Sequence, residues 1–301
     1  MRADSVKPRA SLDPRYYQIA VLSGLLIYGL GWLHFEITPG RAGLLLGTAL
    51  LTQAVCTRLW RLPRFDARSA LISGLSLCLL LRTPFAAVAV LGAVITIASK
   101  FVVRWRGKHI FNPTNFGLVF LMLLGAPVWV SPGQWGNVAF FGFLMACLGG
   151  LVVNRAARSD VTYAFLASFA ALQFGRAAWA LQRWPVPLHR MESGALLLFA
   201  FFMISDPKTT PNSRAGRIVF ACLVTALAGF IQFGLYRTNG ILWSLAILSV
   251  AVPLIDLLLP GPRYEWNRAR PEPQPKGVLD ETPVSLRKPA LDRPALGQPR
   301  A

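Results

Sequence analysis

Residues 138–153 read VAFFGFLMACLGGLVV, and residues 71–81 read LISGLSLCLLL. A helix on the surface of a soluble domain carries a polar face opposite its apolar stripe. Neither run has such a face. About 20 apolar residues with few charges suffice to cross a bilayer as a helix. Runs of this kind recur from residue 17 to residue 259, separated by short polar breaks. The expected class is an all-α, polytopic integral membrane protein. The first fifteen residues are polar and contain Pro8 and Pro14, and the first apolar run is too long for the core of a cleavable leader. It is read as a retained first span.

Composition agrees. Of 301 residues, 54% are hydrophobic and 15% charged, whereas a soluble domain carries about 25% charged residues. Lys and Arg number 31 against 13 Asp and Glu, a net charge of +18. In a soluble protein that excess would suggest nucleic acid. Here the cations sit between apolar runs, so nucleic acid is excluded as a partner and the lipid bilayer takes its place.

Ten spans are predicted, at 17–35, 42–57, 70–82, 84–99, 114–130, 137–153, 161–181, 194–205, 217–235 and 240–259. The third and eighth are short, and only Arg82-Thr83-Pro84 divides the third from the fourth, so nine is the alternative count. Lys and Arg alternate between connections. The N-terminal arm and the even-numbered connections hold 17, the odd-numbered ones 6, and the C-terminal tail 8. The positive-inside rule then puts both termini in the cytoplasm of a bacterium, with the body in its inner (plasma) membrane. The domains follow as a cytoplasmic arm (1–15), a transmembrane body (16–259) and a tail (260–301). The tail carries nine prolines in 42 residues and is expected to be disordered.

Two segments depart from ordinary loops. Phe111-Asn112-Pro113-Thr114-Asn115-Phe116-Gly117 precedes the fifth span, and Ser205-Asp206-Pro207-Lys208-Thr209-Thr210-Pro211 follows the eighth. Asn and Asp cap helix N-termini, and Pro suits the first helical position. Each segment is therefore expected to stop one helix and start another. Pro-interrupted helices in two halves point to an inverted repeat with a central site, although equivalent positions would lie five spans apart. Broken backbone at membrane depth is tolerated where it lines a cavity. The alternative is a pair of loop-to-helix caps at the cytoplasmic surface. Spacing leaves the two readings open.

These segments also carry a family resemblance. Phe202-Met203-Ile204-Ser205-Asp206-Pro207, followed by Gly216-Arg217, looks like the F-M-x-[ST]-D-P…G-[RK] motif of the NqrB/RnfD family. Phe111-Asn112-Pro113 with Gly117 resembles that family's F-N-P-x-x-x-G motif. The family comprises membrane subunits of sodium-pumping NADH:quinone reductase and of the Rnf electron-transport complex. The resemblance implies two inverted five-helix repeats, related to urea and ammonium channel architecture. It also implies flavin-mediated electron transfer coupled to cation transport, with redox-complex subunits or a soluble protein as partners. The family attaches FMN to a Thr in an S-G-A-T-type motif after the F-N-P segment. This chain has Val130-Ser131-Pro132-Gly133-Gln134-Trp135-Gly136 there, and no Thr between Asn115 and Val161. Covalent FMN is not expected, and noncovalent FMN or riboflavin is the cofactor that remains. Shortened relatives of this kind also resemble UnbU-type membrane proteins associated with enediyne biosynthesis.

The cofactor-binding candidates are Asn112, Pro113, Thr114 and Asn115 facing Asp206, Lys208, Thr209 and Thr210. Asp206 is an expensive carboxylate near the membrane, with a helix cap as its plainer role, and Lys208 could pair with it or with a ligand phosphate. Asp256 is expected at interfacial water or a basic partner. Glu36 and Glu192, at outer ends, are expected to be solvated. His34, His109 and His189 lie off mid-span, which disfavours haem. Cys56, Cys78, Cys147 and Cys222 lack metal-ligand spacing and are expected to pack as small apolar residues. No metal site is expected. The alternatives to a redox subunit are a channel or carrier for a small solute on the same repeat, and a scaffold that recruits partners through its basic face and tail.

Overall fold

The computed structural model describes residues 13–131, 150 and 158–264. The chain divides at Trp266, and the second unit, Asn267–Ala301, lies outside the described residues. So do most of the arm, the expected span at 137–153 and nearly all of the tail.

Capping residues set where several helices begin. In α1 (Pro14–Gly31), Asp13 accepts from the Arg15 N–H and Pro14 opens the helix. In α2 (Pro39–Leu59), Thr38 accepts from Arg41 ahead of Pro39. Asp66 caps α3 (Ala67–Leu80) through Ser69. Asn112 caps α5 (Pro113–Leu123) through the Asn115 N–H at 3.1 Å. Between α3 and α5 runs α4 (Ala86–Val102). Each cap satisfies an N–H that the first turn leaves without a carbonyl.

The later part holds α6 (Ser159–Trp179), the short α7 (Pro185–Met191) and α8 (Gly194–Leu198), which widens into a π-turn at Phe199–Met203. Then come α9 (Arg214–Gly229) with a second π-turn at Phe230–Gly234, α10 (Gly240–Ser249) and α11 (Val252–Leu258). The last two are bent by 57° at their junction. Pro253 supplies the break, since its ring cannot continue the incoming helix.

Two strand pairs tie connections together. The antiparallel pair β1 (Leu81–Arg82) and β4 (Trp129–Val130) sets Leu81 opposite Val130. The pair β2 (Arg104–Trp105) and β3 (Lys108–His109) is a hairpin whose two loop residues, Arg106 and Gly107, both have positive φ (47° and 78°). That backbone matches a type I′ turn.

Helix α3 packs on α1 and α2, α2 on α4, and α4 on α5; α9 packs on α6 and α10, and α10 meets α5. Apolar area alone does not drive helices together in lipid, so close approach of backbones matters. Gly117 provides it: a Cβ there would collide with Thr96 Oγ1 and stand 3.3 Å from the Gly92 carbonyl. The core between the elements is aromatic and aliphatic, with Phe165, Phe199, Phe201 and Phe220 fully buried.

Nine of the ten expected spans fall on described residues, and each contains helix. Among the described residues two helices, Pro39–Leu59 and Arg214–Gly234, are long and apolar enough to cross a membrane, and the bent pair Gly240–Ser249 with Val252–Leu258 makes a third when taken as one span. Ala67–Leu80, Ala86–Val102, Pro113–Leu123 and Gly194–Met203 are apolar but shorter.

The connections separate to two ends. At one end, Arg15 bridges Asp13 and Asp66 (2.7 and 2.9 Å), Arg68 reaches Asp13 (3.0 Å), Lys108 reaches Asp256 (2.8 Å), and Arg217 pairs with Asp160. These residues come from the arm, the even-numbered connections and the last helix. At the other end, Arg41 donates to the Pro84 carbonyl (3.2 Å), and β1 pairs with β4.

Candidate functional site

The two motif segments meet. Asn112 uses its oxygen to cap α5, which leaves its amide nitrogen pointing across to the turn that follows the first π-turn. There Nδ2 donates to Asp206 Oδ2 (3.4 Å) and reaches the Met203 carbonyl (3.5 Å). Asp206 Oδ1 accepts from the Lys208 N–H (3.0 Å), and its own carbonyl takes the N–H groups of Thr209 and Thr210, both at 3.1 Å. The Thr210 hydroxyl donates to the same carbonyl at 3.0 Å. Thr209 and Thr210 are buried and hold the turn shut.

Asp206-Pro207 stops a helix as expected but does not start one. Helix α9 begins eight residues later at Arg214, capped by Ser213 Oγ on the Gly216 N–H (3.0 Å). Asp206 spends its side chain on the residue two ahead, the local turn Asp favours. Pro211 then biases Thr210 away from helical backbone.

Between the segments lies a cavity of about 60 Å³. Asn112, Pro113, Thr114, Asp206 and Lys208 line it; Asn115, Thr209 and Thr210 do not. Asn115 instead donates to the Leu242 carbonyl (3.1 Å), tying α5 to α10. The rest of the wall escapes a reading of motifs alone. Ser69, Ser73 and Ser76 present one face of α3, and Lys100 reaches in from the end of α4. Lys100 is only 5% exposed, and its ammonium donates to the Ser69 carbonyl (2.9 Å) and hydroxyl (3.2 Å). The serines stand at i, i+4 and i+7, a helical stripe visible in the sequence. In sequence Lys100 reads only as a marker of topology.

His109 stands where this cavity meets the next. Burial, with the charges of Lys208, Arg104 and Lys100, pushes its pKa down to about 3, so the imidazole is neutral. Its Nδ1 has no hydrogen-bond partner among the described residues. Burial likewise lowers the Lys108 pKa, while the Asp256 carboxylate pulls it back up. Asp256 thus has a basic partner, one of its two expected surroundings.

A cavity needs roughly 10–15 Å³ for each water by this kind of measure, so about 60 Å³ holds a few waters or a partly hydrated ion. Sites for drug-sized ligands measure about 300–1,000 Å³. The cavity between Asn112 and Asp206 is smaller than that range. Among the described residues no group of three or more His, Cys, Asp and Glu could hold a metal. Cys56 and Cys78 are buried as expected. Cys222 is exposed on α9, which corrects its expected packing; Cys147 lies outside the described residues.

Apolar helices, two of them ending in π-turns, and a small cavity between broken ends point to an integral membrane protein of the helical type. Its relatives agree. Residues 126–264 match the model of the NQR2, RnfD, RnfE family. That segment contains the S-D-P motif with Gly216-Arg217 but not the F-N-P motif, and it bears out the resemblance to the NqrB/RnfD family. The chain is similar to RnfD of the ion-translocating oxidoreductase complex of Erwinia tasmaniensis, at 34% identity over 41% of this chain and 34% of that protein. The RnfD of Alcanivorax borkumensis is 35% identical over 41% of this chain and 35% of its own length. For that of Escherichia fergusonii the values are 30%, 50% and 40%. The chain therefore spans between a third and two fifths of the length of these curated relatives.

Proposed function

We propose that this chain is an integral membrane component of a redox-driven, ion-translocating complex, and that the cavity between Asn112 and Asp206 lies on the path of the ion. The observation that carries this reading is a carboxylate and an ammonium, Asp206 and Lys100, lining one small polar cavity between two broken helices. Charged groups buried in a membrane-spanning body are costly and mark ion pathways. The packing of α2, α4 and α5 parallels that of α6, α9 and α10, which supports an inverted repeat. In that repeat the break at Arg82-Thr83-Pro84 is the counterpart of Ser205-Asp206-Pro207, five spans apart. The positive-inside count orients the Lys100–Lys208 end toward the cytoplasm.

The electron carrier, flavin included, is assigned to a place outside this cavity, on partner subunits. The purified chain should then be colourless; a yellow preparation with stoichiometric flavin would overturn that placement. In proteoliposomes of the assembled complex supplied with an electron donor, Asp206→Asn should lower cation flux at least tenfold, the cost of about 1.4 kcal/mol in the barrier. Unchanged flux in folded protein would remove Asp206 from the path. The alternative of a solute channel without redox chemistry is favoured by the cavity's size. It predicts flux from the chain alone, with no added electron donor.

A further inference from the structure

Beside the central cavity lie two joined hollows. The first, about 190 Å³, is lined by Arg104, Lys108, Lys208 and Arg263, with Tyr264 as its aromatic wall and no carboxylate in its lining. Lys108 is saturated: its ammonium donates to Asp256 (2.8 Å), the Thr210 carbonyl (2.7 Å) and Asn212 Oδ1 (3.1 Å). The other three cations keep donors in reserve. Arg104 uses Nε on the Lys100 carbonyl, and Arg263 uses Nη1 on the Arg106 carbonyl (3.3 Å). No ion pair to a carboxylate neutralises Arg104, Lys208 or Arg263 among the described residues. Such a concentration of positive charge calls for an anion with several acceptor oxygens.

The second hollow is larger, about 570 Å³, and shares Lys108, His109, Asn212 and Arg263 with the first. It continues as an apolar trough over Val252, Leu254 and Leu257 of α11, with Trp105 at its side. Val250 and Val252, on either side of the bend between α10 and α11, line the trough, and its walls are uncovered: Leu254 is 58% exposed, Leu257 70% and Trp105 55%. A soluble phosphate would fill the first hollow and leave the trough wet. A zwitterionic lipid would bring its own ammonium against Arg104, Lys208 and Arg263. Trp on such an edge suits the headgroup level of a bilayer, and basic pockets beside apolar helix surface suit anionic headgroups.

We propose that the joined hollows bind one anionic phospholipid, its phosphate held by Arg104, Lys208 and Arg263 and an acyl chain lying along Trp105, Val252, Leu254 and Leu257. The phosphate would face the hairpin turn at Arg106-Gly107 and the start of α9, and so bridge the fourth and eighth connections with the residues that follow α11. This site does not depend on what passes through the central cavity.

Native mass spectrometry of the full chain in detergent, with equal phosphatidylglycerol and phosphatidylcholine added, tests it. One phosphatidylglycerol should be retained per chain with a preference of at least tenfold, since three cations each favour the anionic headgroup. The triple variant R104Q/K208Q/R263Q should lose that preference, and K208R alone should keep it. High salt should strip the preference from the unaltered chain too, which keeps the test valid if the triple variant does not fold. Equal retention of both lipids, or an undiminished preference in the triple variant, would overturn the site. So would displacement by glycerophosphoglycerol, the headgroup without chains, or a bound mass matching a phosphorylated cofactor.

Discussion

His109 titrates against its surroundings. Lys100, Arg104 and Lys208 face it, and Lys108, Arg263 and Asp206 line the cavities it touches. The folded pKa near 3 lies below the ordinary value of about 6.5. Above pH 6.5 neither state binds the proton, and the full stability is present. Below it the unfolded chain takes up a proton that the folded chain refuses, so stability falls by about 1.4 kcal/mol per pH unit. Between pH 6.5 and 5 the loss is about 2 kcal/mol. Thermal unfolding in detergent at those two pH values should show it, and His109→Gln should flatten the difference. A variant with the same pH slope would mean that the imidazole is not held neutral. Asn112 offers a second test at this scale. Asn112→Ala removes a cap and the link to Asp206 together, at a cost of about 1 kcal/mol for the cap alone. Asn112→Asp keeps the cap but sets a second carboxylate beside Asp206. It should therefore bind a test cation more tightly while unfolding no earlier than Asn112→Ala.

Among the elements, the two motif glycines have different tasks. Gly117 lets α5 lie against α4, so Gly117→Ala should lower the melting temperature, and Thr96→Ala in the same chain should restore part of it by removing the hydroxyl that the new methyl would strike. No rescue would place the strain at the Gly92 carbonyl instead. Gly216 sits under Ser213, Pro211 and Ile255, each within about 3 Å of a notional Cβ. Its neighbour Arg217 donates to Asp160 and to the Asn212 carbonyl (2.7 Å), and the Arg217 and Asp160 side chains are largely buried. Removing one partner of a buried pair typically costs about 3–5 kcal/mol. Arg217→Ala should therefore destabilise the chain by that order, and Asp160→Asn comparably; a loss under about 1 kcal/mol, the worth of an exposed pair, would mean that water screens it. Sequence marked most helices because apolar length and X-Pro caps are local signals. The partners inside the site were not legible. Lys100 looks like any cation at a span end, and only packing carries it to Ser69, 31 residues away. The π-turns leave no mark at all, since one extra residue in a helix changes neither its composition nor its hydropathy.

For the molecule as a whole, charge proved to be position. Part of the +18 that would have meant nucleic acid in a soluble protein is, among the described residues, gathered where the start of α1 and the even-numbered connections meet. Alternation of Lys and Arg foretold which connections share an end, because each connection must lie opposite its neighbours. The short third and eighth helices were visible as short apolar runs, but how their ends meet the rest was not. Lys108 and Asp256 stand 148 residues apart yet close one end of the bundle. A ribosome adding about 5–20 residues per second needs roughly 7–30 s to travel from one to the other. For that interval the nascent chain carries an ammonium whose carboxylate has not been made. Chains stalled before Asp256 should hold the Arg104–His109 hairpin open to protease, and chains released after it should not.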